Sequence, residues 1–338
     1  MKKVRIGVLG FASIAQKAII PAIMDLPDLF EFVGIATRTK DKEKQIVDSG
    51  YAAFMPYETL LDKDKIDALY IPLPNAMHYQ WVKVALEKGL HVLVEKSLGC
   101  NLKEVEELNQ LAQDKQLVLI ENFQFRFHSQ LAYIKAVVAN GVLGEIRSIR
   151  SSFGFPPFPD SNNIRYQEKL GGGALLDAGA YPMKLAQLFL GNDIQVVSAA
   201  SIKPDNSEVD LSGGGMIQQI NGNGFLQFAF GFDHFYQCNI EIWGSKGKLS
   251  TNRIFTAPPG YAPEIQIETA KGIEKIQLES DNHFQNMLKH FWYCTQNHEL
   301  CAAEYSQNYI QAKLLEEFKI ISMGANEGWV TKMFLFSI

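Results

Sequence analysis

The stretch "HVLVEKSLGC", residues 91–100, runs a short apolar segment straight into an acid and a base, Glu95 and Lys96. A lysine delivered by a strand end can polarise a carbonyl or stabilise an alkoxide where water is excluded, and Glu95 can hold it through a paired charge or a hydrogen bond. The same two residues could equally form a solvated pair that closes the strand. A second cluster, "LGGGALLDAGAYPMKLAQLFLG" at residues 170–191, carries three glycines, then Asp177, then Tyr181. Glycines allow close backbone approach, and residues four apart share a face where the turn between them is helical. Pro182 suits a first helical turn but not a helix interior, which puts Asp177 just before the helix. Taken alone, Asp177 reads as a helix cap and Tyr181 as a core aromatic as readily as catalytic groups.

A third set of residues addresses a nucleotide. After the apolar run "VRIGVL" comes Gly10-x-Ala12-x-x-Ala15, close to the dinucleotide fingerprint Gly-x-Gly-x-x-Gly/Ala. The first glycine permits a tight turn, and the start of the following helix offers free N–H groups and a positive dipole end to a pyrophosphate. Ala12 crowds that approach slightly. Where an NAD enzyme places a carboxylate on the adenine ribose, this chain has Thr37 and Arg38, followed by Lys40. A carboxylate would repel a 2′-phosphate, whereas a guanidinium binds one with paired hydrogen bonds. NADP(H) is therefore the expected cofactor, with NAD(H) as the alternative.

These residues need elements to hold them. In residues 1–122 the apolar runs "VRIGVLG", "FEFVGIAT", "DALYIPL", "HVLVEK" and "QLVLIEN" alternate with helical stretches starting near Ile14, Asp41, Asn75 and Asn101. That alternation predicts a doubly wound parallel sheet. Ligands of such sheets bind outside the carboxyl ends of the strands, which is the address of Lys96. Residues 123–338 change texture: "EIRSIRSSFGF", "QVVSAASIK", "GMIQQI", "GFLQFAFGF", "QCNIEIWG" and "GKLSTNRIF" are joined by Gly, Asn and Asp turns. They predict an α+β domain with a large, mainly antiparallel sheet, with helices at "YPMKLAQLFLG" and between about 282 and 323. The apolar tail "GWVTKMFLFSI" carries no helical stop signal.

Composition narrows the function classes. With 338 residues, 47% of them hydrophobic, the chain buries a large core, and its net charge of −5 gives no general attraction to nucleic acid or anionic membranes. No run approaches the length of a membrane span, and the basic start lacks a cleavage pattern. The four cysteines, Cys100, Cys238, Cys294 and Cys301, are scattered, so no metal site is expected and a cytoplasmic location is.

The motifs "LPNAMHYQW", "HVLVEKSLG", "ENFQFRFHSQ" and "NIRYQEKLGGGALLDAGAY", with the Gly10 turn, resemble the glucose-fructose oxidoreductase and inositol dehydrogenase family, Gfo/Idh/MocA, over nearly the whole chain. The resemblance implies a Rossmann domain joined to an α/β domain with an open sheet. It implies Lys96, Asp177 and Tyr181 as catalytic residues, at the family's lysine, aspartate and His-or-Tyr positions. A cofactor would be held by Gly10, Phe11, Ala12, Ser13, Ile14, Thr37, Arg38, Leu73, Pro74, Asn75, His78, Glu95, Lys96, Asn122 and Arg165. Ser97 departs from the family's Glu-Lys-Pro motif, as Ala12 does from its glycine.

The tyrosine version resembles the branch that contains dihydrodiol dehydrogenase, pentose dehydrogenases and sugar-nucleotide 3-ketoreductases, most of all the last. Phe232, His234, Tyr236, Arg253, Phe255 and Tyr261 offer aromatic faces for a base and a guanidinium for a diphosphate, although ordinary sheet packing accounts for each singly. Gln124, Tyr236 and Arg253 complete the expected substrate contacts. The implied reaction is hydride transfer from NADPH to a keto group, at C3, of a nucleotide-linked deoxysugar, with Tyr181 as the proton donor. A neighbouring Lys96 cation would bring that phenol's acidity nearer working pH. Oxidation of a free sugar or a trans-dihydrodiol by NADP⁺, and cofactor binding without chemistry in a regulatory protein, are the rival readings. A homodimer or homotetramer is expected.

Overall fold

Five apolar runs and one short addition build the first sheet. They are β1 (Val4–Leu9), β2 (Phe30–Ala36), β3 (Ala53–Phe54), β4 (Ala68–Ile71), β5 (His91–Glu95) and β6 (Leu119–Asn122). In this computed structural model, which describes residues 2–335 and their side chains to residue 324, the strands are all parallel, in the order β3-β2-β1-β4-β5-β6. The order reverses between β1 and β4, and at such a switch point the loops of neighbouring strands diverge and leave a crevice. Val8, Leu9, Leu69, Tyr70, Leu93 and Val94 are fully buried, as strands covered on both faces require.

The helices begin where the sequence supplies caps. Thr39 accepts the Lys42 N–H at the start of α2 (Lys40–Asp48), and Asn101 accepts the Glu104 N–H at the start of α4 (Leu102–Asp114). Pro74 precedes α3 (Asn75–Glu87). The segment after Gly10 is not one long α-helix: a π-helical turn, Ala15–Ile19, leads into the short α1 (Ile20–Met24).

Contacts group the chain into two units, residues 1–127 with 282–309, and residues 128–281 with 310 onward. The first unit thus takes in a later segment, residues 282–309. The helix α7 (His283–Gln296) and the first turns of α8 (Cys301–Leu335) belong with the first sheet, through buried polar bonds that no local pattern announces. Arg126 makes a bidentate pair with Glu304 at 2.8 and 3.0 Å, and Asn308 donates to Asn109 Oδ1 and Leu119 O, each at 3.1 Å. Burial would raise the Glu304 carboxyl, yet Arg126 and His290 hold it down at about 2.

The second unit carries eight strands: β7 (Ile146–Gly154), β8 (Ile194–Ile202), β9 (Ser212–Gln219), β10 (Phe225–Gly231), β11 (Gln237–Gly244), β12 (Gly247–Asn252), β13 (Glu264–Thr269) and β14 (Gly272–Gln277). Their order is β14-β13-β12-β11-β7-β10-β9-β8; β7 and β10 pair in parallel and the other neighbours antiparallel. Cys238, Ile240 and Ile242 of β11 point into the core while Gln237 and Trp243 are exposed, the alternation of a sheet covered on one face. The helices α5 (Ser129–Ala139) and α6 (Ala180–Leu190) belong to this unit, with the part of α8 from Ile310 on. The strands β3, β13 and β14 and the helix α5 are not announced by the sequence pattern. The side chains of the apolar tail, residues 328–338, lie outside the described residues.

Candidate active site

The carboxyl edge of the first sheet gathers the expected cofactor residues. Gly10 follows β1, Thr37 and Arg38 follow β2, Leu73, Pro74 and Asn75 follow β4, Lys96 follows β5, and Asn122 ends β6. Gly10 has φ +104°, a backbone that favours glycine, and a Cβ there would push on the Leu73 side chain, whose Cδ2 would lie 2.8 Å away. Phe11, Ala12 and Ile14 are half-buried and Ser13 is exposed, so this loop remains open to a ligand.

Arg38 is exposed, with its guanidinium carbon 5.3 Å from the centroid of the buried Tyr57 ring and Nη2 3.8 Å from Met77 Sδ. Stacking of this kind fixes the plane of the fork while leaving donors available. Burial pushes the Tyr57 phenol up, against the pull of Arg38. Tyr57 in turn packs edge-on against Trp81, with centroids 5.0 Å apart.

At the end of β5, Glu95 accepts from Tyr70 Oη at 2.6 Å and from Asn122 Nδ2 at 2.7 Å. Burial raises its carboxyl, and these two donors, with the Lys96 charge, oppose the rise. Lys96 acts on Glu95 through its charge and its backbone N–H, and the carboxyl oxygen of Glu95 is tied to strands on both sides. The Lys96–Ser97 peptide bond is cis. Ser97 is buried; its N–H donates to Asn75 Oδ1 at 3.2 Å, and its carbonyl lies 2.7 Å from His78 Nδ1. His78, expected at the cofactor, has no exposed surface, and its Nε2 lies 2.7 Å from Leu73 O. Burial pushes this imidazole down to about 4, so the ring is neutral at pH 7 and donates to one of the two carbonyls.

These features fit a dinucleotide. The Gly10 turn favours a residue without a side chain, Arg38 presents a cation where a ribose phosphate would lie, and the buried Asn122 Oδ1 has no partner of its own while its Nδ2 serves Glu95.

The second unit positions the other candidates. A π-helical turn, Leu175–Gly179, carries Asp177 and runs directly into α6, in which Tyr181 is the second residue and Pro182 the third. The proline thus sits where the π-helical turn passes into α6. Tyr181 is 7% exposed, its ring packed against Phe153 at 5.0 Å and Phe255 at 5.4 Å between centroids. Asp177 Oδ2 accepts from Arg165 Nε at 2.6 Å, and Arg165 also lies over the Phe158 ring at 4.7 Å. Although burial lowers it, Arg165 is held above its usual value by Asp177 and then Tyr181. Arg165, expected at the cofactor, is therefore brought to the catalytic aspartate candidate.

Tyr236 and Arg253 are also brought together, with the guanidinium 5.3 Å from the ring centroid and Tyr236 Oη 2.8 Å from Thr256 Oγ1. Phe232 and Phe255 are buried in the aromatic core and present no face to a base. Gln124 is buried in the turn Gln124–Phe127 of the first unit.

Three supporting residues are not evident from the sequence. Tyr70 holds Glu95, and Glu121 accepts the Leu98 N–H at 2.9 Å. Asp210 accepts the Leu175 N–H at 2.7 Å, beside Gly173, where a Cβ would lie 2.3 Å from Asp210 Oδ1. The one signal the sequence carries is an acidic residue inside the apolar run "VLIEN". No helix among the described residues is long and apolar enough to cross a membrane.

Comparison with known proteins places this geometry. Residues 4–123 match the model of an oxidoreductase family with an NAD-binding Rossmann fold, and residues 131–250 match the GFO/IDH/MocA C-terminal domain. The chain is 38% identical over 289 residues to a dTDP-3,4-didehydro-2,6-dideoxy-alpha-D-glucose 3-reductase of Actinomadura kijaniata, covering 85% of this chain and 86% of the relative. A protein of the same name from Saccharopolyspora spinosa is 38% identical over 291 residues, 86% of this chain and 87% of that one. The crystal structure of a 3-ketoreductase from Actinomadura kijaniata in complex with NADP and TDP-benzene aligns with a TM-score of 0.90 at 36% identity, over 94% of this chain and 98% of that chain. With both halves matched, the chain belongs to the Gfo/Idh/MocA oxidoreductase family.

Proposed function

We infer that the protein is an NADPH-dependent ketoreductase that reduces the C3 keto group of a dTDP-linked deoxysugar. The continuous likeness to the Actinomadura kijaniata 3-reductase, running through both units, carries this reading. The cation at the end of β2 in place of a carboxylate agrees with the phosphorylated cofactor.

NADPH, when bound, supplies the hydride. Gly10 and the loop to Ile14 would receive the pyrophosphate, Arg38 with Thr37 the 2′-phosphate, and Asn122 Oδ1 a donor of the cofactor. Lys96 stabilises the negative charge that develops on the carbonyl oxygen as C3 becomes tetrahedral. Tyr181 gives its phenolic proton to that oxygen and recovers one from solvent, which completes the alcohol. Asp177, oriented by Arg165, accepts a hydrogen bond from a sugar hydroxyl. The packing of the Tyr181 ring between Phe153 and Phe255 holds the phenol in one orientation. Arg253, stacked on Tyr236, offers its fork to the diphosphate.

The cellular setting follows from the same reading: a cytoplasmic homodimer or homotetramer acting on a small molecule, its four cysteines free thiols. A thermal-shift panel of dTDP, UDP, GDP and CDP with NADPH present tests the proposal, together with NADPH oxidation on a dTDP-linked 3-keto sugar. Selective stabilisation by dTDP and turnover of that sugar are expected. A flat panel with turnover of free xylose or glucose would replace it by a free-sugar dehydrogenase.

A further inference from the structure

The motif "LPNAMHYQW" is expected to face the cofactor, yet its histidine is fully buried. Asn75 and His78, three apart at the start of α3, lie on one face of its first turn. Both reach the same residue. Asn75 Oδ1 takes the Ser97 N–H at 3.2 Å, and His78 Nδ1 meets the Ser97 carbonyl at 2.7 Å. From the other side, β6 supplies Glu121, whose Oε1 takes the Leu98 N–H at 2.9 Å. The two residues that follow Lys96 are thus gripped through their backbone groups by buried side chains, 0% exposed at His78 and 2% at Glu121. His78 Nε2 faces Leu73 O, in the loop that leaves β4, at 2.7 Å, and the single N–H of the neutral ring serves one of these two carbonyls.

We propose that His78, as the tautomer with its proton on Nδ1, is a positioning residue for Lys96: by donating to the Ser97 carbonyl it fixes the direction in which the chain leaves β5, and with it the place of the Lys96 ammonium. The proposal rests on the reading of Lys96 as the charge that stabilises the alkoxide. Backbone grip matters more here than side-chain contact, because a long, rotatable lysine is aimed by its Cα–Cβ direction before its rotamers are counted. Misplacement of a reacting group by about 1 Å can cost about 100-fold in rate.

Two substitutions of similar size separate this role from simple packing. His78→Asn keeps a nitrogen near the Nδ1 position that faces Ser97, whereas His78→Gln keeps one near the Nε2 position that faces Leu73. Steady-state kinetics with NADPH and a dTDP-linked 3-keto sugar, NADPH dissociation constants and Tm are measured on both, alongside Lys96→Ala. At matched Tm, His78→Gln should lower kcat by about 10- to 100-fold, His78→Asn should recover most of that loss, and NADPH affinity should stay within about 3-fold in both.

Equal kcat in the two variants overturns the proposal, as does a loss of kcat that follows Tm alone. If either variant fails to fold, Asn75→Ala, which frees the other side of Ser97, decides: a loss of kcat supports the grip and wild-type kcat overturns it. Lys96→Ala keeps the two readings distinct. Wild-type turnover there removes Lys96 from the chemistry and the His78 role with it, whereas a dead Lys96→Ala beside a fully active His78→Gln removes the His78 role alone.

Discussion

Lys96 and the Asp177–Tyr181 pair are presented by opposite structural means. Lys96 leaves a strand hydrogen-bonded on both sides, to β4 and β6, and the next two residues are held through their backbone by Asn75, His78 and Glu121. Asp177 and Tyr181 stand instead on a wound segment reached through a run of glycines. Asp210 clamps the start of that segment, Arg165 fixes the carboxylate, and the Phe153 and Phe255 rings fix the phenol. Directional hydrogen bonds to the backbone position the first group, and aromatic packing with the Arg165–Asp177 ion pair positions the second. Damage to the first region should therefore show as lost orientation, and damage to the second as lost chemistry or lost folding.

The largest expected effect tests the chemistry. Tyr181→Phe keeps the ring and its aromatic neighbours and removes the proposed proton donor, so kcat should fall by about 10²–10⁴-fold. NADPH binding, measured by fluorescence titration, should stay near wild type, since the first unit is untouched. A variant with near-full turnover would leave Tyr181 as packing only, and the comparison would lose one side.

The next effect belongs to the cofactor edge. Arg38→Ala removes a charge-assisted contact worth about 1.5–3 kcal/mol, which is a rise of about 10- to 100-fold in the KM for NADPH. The KM for NADH should change little. Equal changes for the two cofactors would show that Arg38 merely rests on Tyr57 and does not read the 2′-phosphate.

How far these roles are legible in the sequence divides along the same line. The buried parallel strands are continuous apolar runs, so β1, β2, β4, β5 and β6 can be read directly, and Lys96 follows from its place after one of them. Strand β14 has only Ile276 partly shielded and alternates weakly, which in sequence resembles a loop. The π-helical turns at Ala15 and Leu175 carry no residue pattern of their own. His78 is set at the cofactor by the family resemblance; that both its nitrogens face carbonyls follows from tertiary placement alone. Arg165 lies twelve positions before Asp177, and only the folded glycine turn joins them.

A pair of glycine substitutions sharpens the contrast between the two regions. Gly173→Ala places a Cβ 2.3 Å from Asp210 Oδ1 at a backbone of φ +109°. The strain should cost about 1–3 kcal/mol and lower Tm, with kcat falling because the Asp177 turn shifts. Gly10→Ala, at φ +104° and 2.8 Å from Leu73 Cδ2, should instead weaken NADPH binding more than kcat. Indistinguishable kinetic defects in the two variants would mean that neither glycine serves one half of the reaction specifically.

The smallest effect decides where Arg165 belongs. Arg165→Lys keeps a positive charge beside Asp177 and loses the planar fork that donates from Nε at 2.6 Å and stacks on Phe158 at 4.7 Å. The loss should be about 1 kcal/mol, seen as a fall of about 5-fold in kcat/KM for the sugar substrate with an unchanged KM for NADPH. The opposite split, a raised KM for NADPH with intact sugar kinetics, would return Arg165 to the cofactor, where the family resemblance puts it. It would also make the Arg165–Asp177 pair a structural contact of the second unit and leave the proposed catalytic role of Asp177 without its orienting partner.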